Sequence, residues 1–411
     1  MTTASDRNPG ALLDRSDERL KDRSGAKGVI RGFLDRVRSG DLGSLPVVVG
    51  LVLICTIFQT LNPVFLSPNN LVNLLFDCST VGIISLGIVC VLMVGEIDLS
   101  VGSVSGLASA LLGVLWVQWG WPVALAMLAA MAVGFVTGCV YALLLNRLGM
   151  PSFVSTLSGL LAFLGLQLYI LGPTGSINLP YDSPLVNFGQ LLVMPHWVSH
   201  TLAVVPGVLA LALGYRKAQR RQAAGLSSRS LGGLLLQAVA ITVALELVAY
   251  YLNLSRGVPW MFALFVGLVV AMNYALKRTQ WGRSMTAVGG NREAARRAGI
   301  NVRLIYASAF ALCATLAATG GLLSAARLAT ASQQAGTGDV NLNAIAAAVI
   351  GGRGSAYSAL LGIIVIQSIA SGLTLLDLSS SLRYMITGCV LAIAVIVDSL
   401  ARRSRVSHGR A

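Results

Sequence analysis

Charge is what this chain has least of. Only 11% of its residues are Asp, Glu, Lys or Arg, 55% are hydrophobic and the mean hydropathy is +0.76. A soluble domain carries about 25% charged residues, so an ordinary soluble fold is excluded and most of the chain has lipid as its solvent. Histidine is nearly missing: His196 and His200 flank a membrane boundary and His408 lies in the basic end, which suits interfacial or solvated roles. The six cysteines, Cys55, Cys78, Cys90, Cys139, Cys313 and Cys389, all fall in apolar stretches without a CxxC pair. They read as small buried hydrophobes, and no metal or redox centre is expected. No GxxxxGK[ST] loop exists to cradle nucleotide phosphates, and neither HExxH nor GxSxG occurs. The chain is therefore expected to have no ATPase site, bound cofactor or catalytic constellation of its own.

What charge there is leans strongly to one sign, with 30 basic against 16 acidic residues, a net charge of +14 and a pI near 10.0. In a soluble protein that balance would suggest nucleic acid. In a membrane protein the positive-inside rule explains it, and no nucleic-acid partner is implied.

A membrane crossing takes about 20 apolar residues at 1.5 Å each. Windows of that kind lie near 46–66, 76–95, 100–118, 122–145, 152–172, 197–214, 231–252, 258–276, 304–326, 341–351, 356–375 and 382–400. The fold class is thus an all-α polytopic membrane protein with roughly 10 to 12 transmembrane helices, including broken or re-entrant segments. Its parts are a polar tail 1–44, a membrane domain 45–400 and a basic tail 401–411. With both termini cytoplasmic, 27 of the 30 basic residues fall inside and only Arg256, Arg327 and Arg383 outside. Seven carboxylates and nine basic residues crowd the first 44 positions, leaving no apolar run of the kind a cleavable signal has. The first span is expected to be an uncleaved anchor. The stretch 172–187 reads as the longest external loop, either covering a pore mouth or simply connecting two spans.

Two Gly-rich interruptions carry polar residues where lipid penalises them. The first includes Gly95, Glu96, Asp98, Ser100 and Gly102, and a carboxylate at a helix centre costs about 2.5–3.5 kcal/mol. This is either the turn between spans two and three or a deeper break lining a cavity. The second runs from Gly351 to Ser355. Eleven residues separate Gly102 from Gly113 in SALLG, and eleven separate Gly351 from Gly362 in a second SALLG, a pattern that suggests a duplicated half.

Basic residues gather in 277–303: Lys277, Arg278, Arg283, Arg292, Arg296, Arg297 and Arg303. Within it Asn291 can cap a helix, Glu293 complements the first-turn dipole and Gly299 suits the C′ position. Ala294, Ala295 and Ala298 offer a small apolar surface, with Arg292, Arg296 and Arg297 around it to reach acidic groups. Alternatively these arginines hold anionic lipid headgroups.

The stretches GEIDLSVGSVSG (95–106), PSFVSTLSG (151–159), GGNREAARRAGINV (289–302) and NAIAAAVIGG (343–352) resemble, in order, the signatures of the monosaccharide-importing ABC permeases of the ribose, galactose, arabinose and xylose group. The extra basic loop 215–230 and the ending LAIAVIVDSLARR (391–403) are most similar to xylose-type permeases. Asn341 and Leu342, with Ala356, Tyr357 and Ser358, depart from the group's pattern. The resemblance implies a second permease copy, two ATPase subunits that use the ATP, an external sugar-binding protein and a bacterial inner-membrane location. It also implies that 291–299 is the element coupling to the ATPase. Candidate pathway residues are Glu96, Asp98, Ser100, Ser155, Thr156, Ser158, Gln167 and Asn343, most of them able to meet sugar hydroxyls without fixed charge. A proton-coupled secondary transporter would instead use intramembrane acids such as Asp77, Glu246 and Asp398. The scatter of those acids, without paired intramembrane Lys or Arg and without a membrane-embedded His, speaks against it.

Overall fold

Proline and hydroxyl residues open several of the long apolar helices, because both suit the first turn, where backbone N–H groups lack intrahelical partners. The computed structural model describes residues 45–224, 230–350, 355–379, 381–389 and 392. Helix α1 is Leu45–Leu61, and α2, Pro68–Met93, is capped by Ser67. Helix α3, Val101–Leu112, continues as a π-turn through Gln118. Helices α4, Val123–Leu148, and α5, Ser152–Leu171, follow Pro122 and Pro151. After a strand β1, Ser176–Asn178, come α6, Pro184–Gln190, α7, His196–Ala223, α8, Leu231–Asn253, and α9, Trp260–Arg278. Two short helices, α10, Gln280–Gly290, and α11, Arg292–Arg297, precede α12, Val302–Leu328. Strand β2, Thr330–Ser332, α13, Asp339–Ile350, and α14, Ala356–Leu375, follow, and 381–389 is helical. Among the described residues nine helices are long and apolar enough to cross a membrane, and α1 and α13 hold shorter apolar runs. The chain is an all-α polytopic membrane protein.

Helix α12 is the axis around which α2, α3 and α4 pack. Its buried face is mostly Ala and Gly, including Ala314, Ala317, Ala318, Gly320, Gly321 and Ala325. Lipid gives apolar helices no hydrophobic reason to associate, so close backbone approach and dispersion must hold them together. A Cβ on Gly321 would overlap the Ser105 carbonyl of α3, and one on Gly138 of α4 would overlap the Phe310 carbonyl. Gly321→Leu is therefore expected to destabilise the protein by about 1–3 kcal/mol or more. A lower melting temperature of the detergent-solubilised protein is the readout; an unchanged one would show that α3 and α12 are not locked together here.

The described residues divide into two compact units. One is the Pro195–Gly257 hairpin and the other is the rest of the membrane domain. Within the hairpin, Gly207 of α7 packs under Thr242 of α8. His200 Nδ1 lies 2.6 Å from Glu246 Oε2, and Asn253 Nδ2 donates to Ser199 Oγ at 2.9 Å. In the larger unit, Val193 bridges Pro259, so the chain leaves and re-enters at one place.

Several sequence expectations change. Helix α7 runs on to Ala223, so Arg216, Lys217, Arg220 and Arg221 of the expected loop are helical. The stretch 172–187 is no bare connector, because β1 pairs antiparallel with β2 and α6 starts at Pro184. Cys78, Cys90 and Cys313 are buried as expected, but Cys55 and Cys139 are only partly buried and Cys389 is exposed. The tail 1–44, the second break at Gly351–Gly354, Asp398 and the basic end 401–411 lie outside the described residues.

Candidate functional site

The first break is a tight exchange of two helix ends. Gly95 adopts φ +83, a left-handed conformation that costs glycine no Cβ clash. The Gly95 N–H donates to Leu92 O and the Glu96 N–H to Val91 O, both at 3.1 Å, which closes α2 in a Schellman pattern. Asp98 is buried, and its Oδ1 accepts from the Ser100 amide at 2.8 Å and the Ser100 hydroxyl at 2.7 Å. Its carboxyl also sits two residues before the N-terminal cap of α3, an end whose helix dipole favours an anion. Glu96 Oε2 accepts from Ser152 Oγ at 2.6 Å, which ties the break to the start of α5. Asn341 Nδ2 donates to Leu99 O at 2.9 Å. One position where the sequence departs from the pattern it resembles thus joins α13 to the same turn.

The other pathway candidates bond to the chain itself, Ser158 from an exposed position. Ser155 and Thr156 are buried and donate to Ser152 O, while Ser158 donates to Val154 O. Gln167 Nε2 donates to Ser332 O at 2.9 Å and Ala335 O at 3.0 Å, pinning the segment after β2 against α5. Asn343 is buried within helix α13 rather than at an unwound break.

The basic segment holds two helices where the sequence suggested one. Helix α10 was missed because two glycines end it and few apolar residues mark it; the signal was Trp281, Met285 and Val288 at i, i+4, i+7 behind Thr279. Met285 and Val288 are buried, and Trp281 Nε1 donates to Ser308 Oγ at 2.8 Å, anchoring α10 on α12. Gly289 lies so close to α2 that a Cβ would overlap the Met93 carbonyl. Met93 also shares an open groove with Leu276, Lys277, Arg283, Thr286 and Ala287. The break therefore lies at the 277–303 end of this unit, a turn with Asp98 and Ser100 buried and Gly95 and Ile97 exposed, rather than a break deep within a span.

Helix α11 begins where Asn291 Oδ1 accepts from the Ala294 amide at 2.9 Å. It ends at Gly299, φ +83, where the Ile300 N–H donates to Ala295 O. Glu293 Oε1 accepts from Arg296 Nη2 at 2.9 Å, and Arg297 Nε is 3.4 Å away. The alanine surface needs correction: Ala295 is 3% exposed and seats α11 on its own chain. A residue next in sequence lies about 100° round a helix, so Ala294 and Ala298 alone share the outward face. Arg292 lies over the Tyr306 ring, 5.3 Å from its centroid, and Glu96 faces the same side chain. Thus α11, α12 and the break meet at one tyrosine.

A family model described as branched-chain amino acid transport system, permease component, matches residues 70–395. This chain belongs to that permease family. The xylose transport system permease protein of Escherichia coli K12 is 32% identical over 383 residues, covering 90% of this chain and 95% of the relative. Its Haemophilus influenzae counterpart is 30% identical over 371 residues, covering 89% and 98%. The ribose import permease protein of Bacillus subtilis is 30% identical over 367 residues, covering 87% and 94%. No solved structure matches. The expected monosaccharide-importer family is borne out, and the permease is a multi-pass membrane protein.

Contrary to the sequence expectation, two of the intramembrane acids have basic partners. Asp77 Oδ1 accepts from Arg327 Nε at 2.8 Å, and Glu246 pairs with His200. Burial between helices favours such partners because an unpaired charge there is costly. Family membership, not the scarcity of pairs, separates this permease from that class.

Proposed function

We propose that this permease is the membrane subunit of an importer that carries xylose or a related monosaccharide across the bacterial inner membrane. Two copies form the path, two partner subunits bind and hydrolyse the ATP, and an external binding protein delivers the sugar. This chain binds no cofactor of its own. Both termini and the 277–303 segment face the cytoplasm, as the basic residues there favour. Helix α11 docks on the ATPase, and closure of the ATPase pair rocks the helices between outward-open and inward-open states.

The observation that carries the reading is the joint between α11 and the first break. Capped at both ends, α11 presents Ala294, Ala298 and largely exposed Arg296 and Arg297 outward. On its inner side Arg292 reaches Tyr306 beside Glu96, and Gly289 of the adjoining α10 abuts the end of α2. A push on α11 is thereby delivered to the turn where α2 and α3 meet.

The test is reconstitution with the partner ATPase and binding protein, using xylose, ribose, galactose and arabinose side by side. ATP-dependent uptake that needs the binding protein is expected, with xylose or another pentose carried best. Uptake that follows a proton gradient and ignores ATP would overturn the reading.

A further inference from the structure

The pair Asp77–Arg327 belongs to a polar seam remote from α11. Asn70, Asn73 and Asp77 recur on one face of α2 at i, i+3 and i+7, and Gln367 and Ser371 follow at i, i+4 on α14. The two faces are joined: Asn70 Nδ2 donates to Ser371 Oγ at 3.1 Å, and Gln367 Nε2 donates to Asp77 O at 3.3 Å. Arg327, next to last in α12, donates to Asp77 and, through Nη2, to Asn73 Oδ1 at 3.3 Å. Its guanidinium lies over Phe76, 5.0 Å from the ring centroid.

Exposure makes this seam chemically informative. Asp77 is nine residues into α2, about 13 Å along the helix from its start, and Arg327 reaches it from the last turn of α12. There the Asp77 side chain is 47% exposed, while Arg327 is 19% exposed. A half-open carboxylate facing hydrocarbon is heavily disfavoured, whereas one facing a wet path is not. Among the described residues Asp77 Oδ1 holds the arginine and Oδ2 takes no protein bond, while Arg327 Nη1 likewise donates to none. The seam therefore offers an acceptor and a donor on adjoining groups at zero net charge. Neighbouring hydroxyls of a neutral sugar need that combination, each being both donor and acceptor.

We infer that this seam is a sugar-hydroxyl contact site on the translocation path, with Asp77 Oδ2 and Arg327 Nη1 meeting adjacent hydroxyls of a monosaccharide. The inference rests on the importer reading above. Asp77→Asn keeps the shape and the bond to Arg327 but turns the outward acceptor into a donor.

The test uses the full complex in proteoliposomes, with the best-carried sugar of the four-sugar panel and its monodeoxy analogues. The binding protein is the same throughout, so its own selectivity cancels between variants. For Asp77→Asn, the preference for the parent sugar over one deoxy analogue is expected to change about tenfold, the worth of one charged hydrogen bond. Equal changes for every sugar, or none, would overturn the inference and leave Asp77 a structural residue. Loss of the second permease copy would also overturn it, by marking the seam as a subunit contact. If Asp77→Asn does not insert, Ser371→Ala is read in the same way, with a smaller change in preference expected and a uniform one overturning the site. Failure of the unaltered complex to take up sugar with ATP is a different result, one that removes the importer reading itself.

Discussion

Replacing both Glu293 and Arg297 with alanine is expected to leave the permease inserted while lowering sugar-stimulated ATP hydrolysis at least about tenfold. The pairs within α11 are exposed, with the arginine side chains 71% and 80% accessible. Such pairs contribute only about 0.3–0.5 kcal/mol each, so their removal does not threaten the fold. Arg297 is different toward a partner, because a charge-assisted bond to an acidic group there is worth about 1.5–3 kcal/mol. Stimulated hydrolysis by the reconstituted complex is the measurement, and Arg297→Lys should recover part of it by restoring the charge. Stimulation equal to the unaltered protein would remove α11 from the coupling path.

Gly289→Leu should have an effect of similar size but of a different kind. Its side chain has nowhere to go, since a Cβ already overlaps the Met93 carbonyl. Helix α10 must therefore move off the end of α2, and under the proposed coupling the push reaching the break at Gly95–Ser100 would be lost. ATP hydrolysis is expected to continue while sugar moved per ATP falls at least about tenfold, a difference of about 1.4 kcal/mol and within the cost of overpacking. The adjacent Gly290 has no heavy atom within 4 Å of its Cβ position, so Gly290→Leu is the matched control and should transport normally. If both variants keep the normal ratio of sugar to ATP, the contact between α10 and α2 does not transmit movement.

Much of the architecture was legible because lipid simplifies the rules. A helix that must satisfy its backbone internally and span about 30 Å announces itself as an apolar run, and most windows fell within a few residues of the helices. Local signals were equally readable: Asn291 and Gly299 cap α11 because capping needs only neighbours in sequence. The start of α2 was misplaced because Asn69, Asn70, Asn73 and Asp77 dilute its apolar character, and the last three of those residues line the seam. Their partners, Arg327, Gln367 and Ser371, lie some 250 to 301 residues away. No local pattern reveals a pairing over that distance.

By itself, then, the sequence determined the solvent, the helical class, the charge asymmetry and the caps of the basic segment, all of which depend on composition or on residues within a few positions. The tertiary structure decided which polar groups meet. It put Glu96 with Ser152 and Asn341 with Leu99, turned Ser155, Thr156 and Gln167 to internal bonds, and joined Asp77 to Arg327. The physical reason is that side-chain hydrogen bonds act over about 3 Å, and helix packing alone fixes which distant residues come that close.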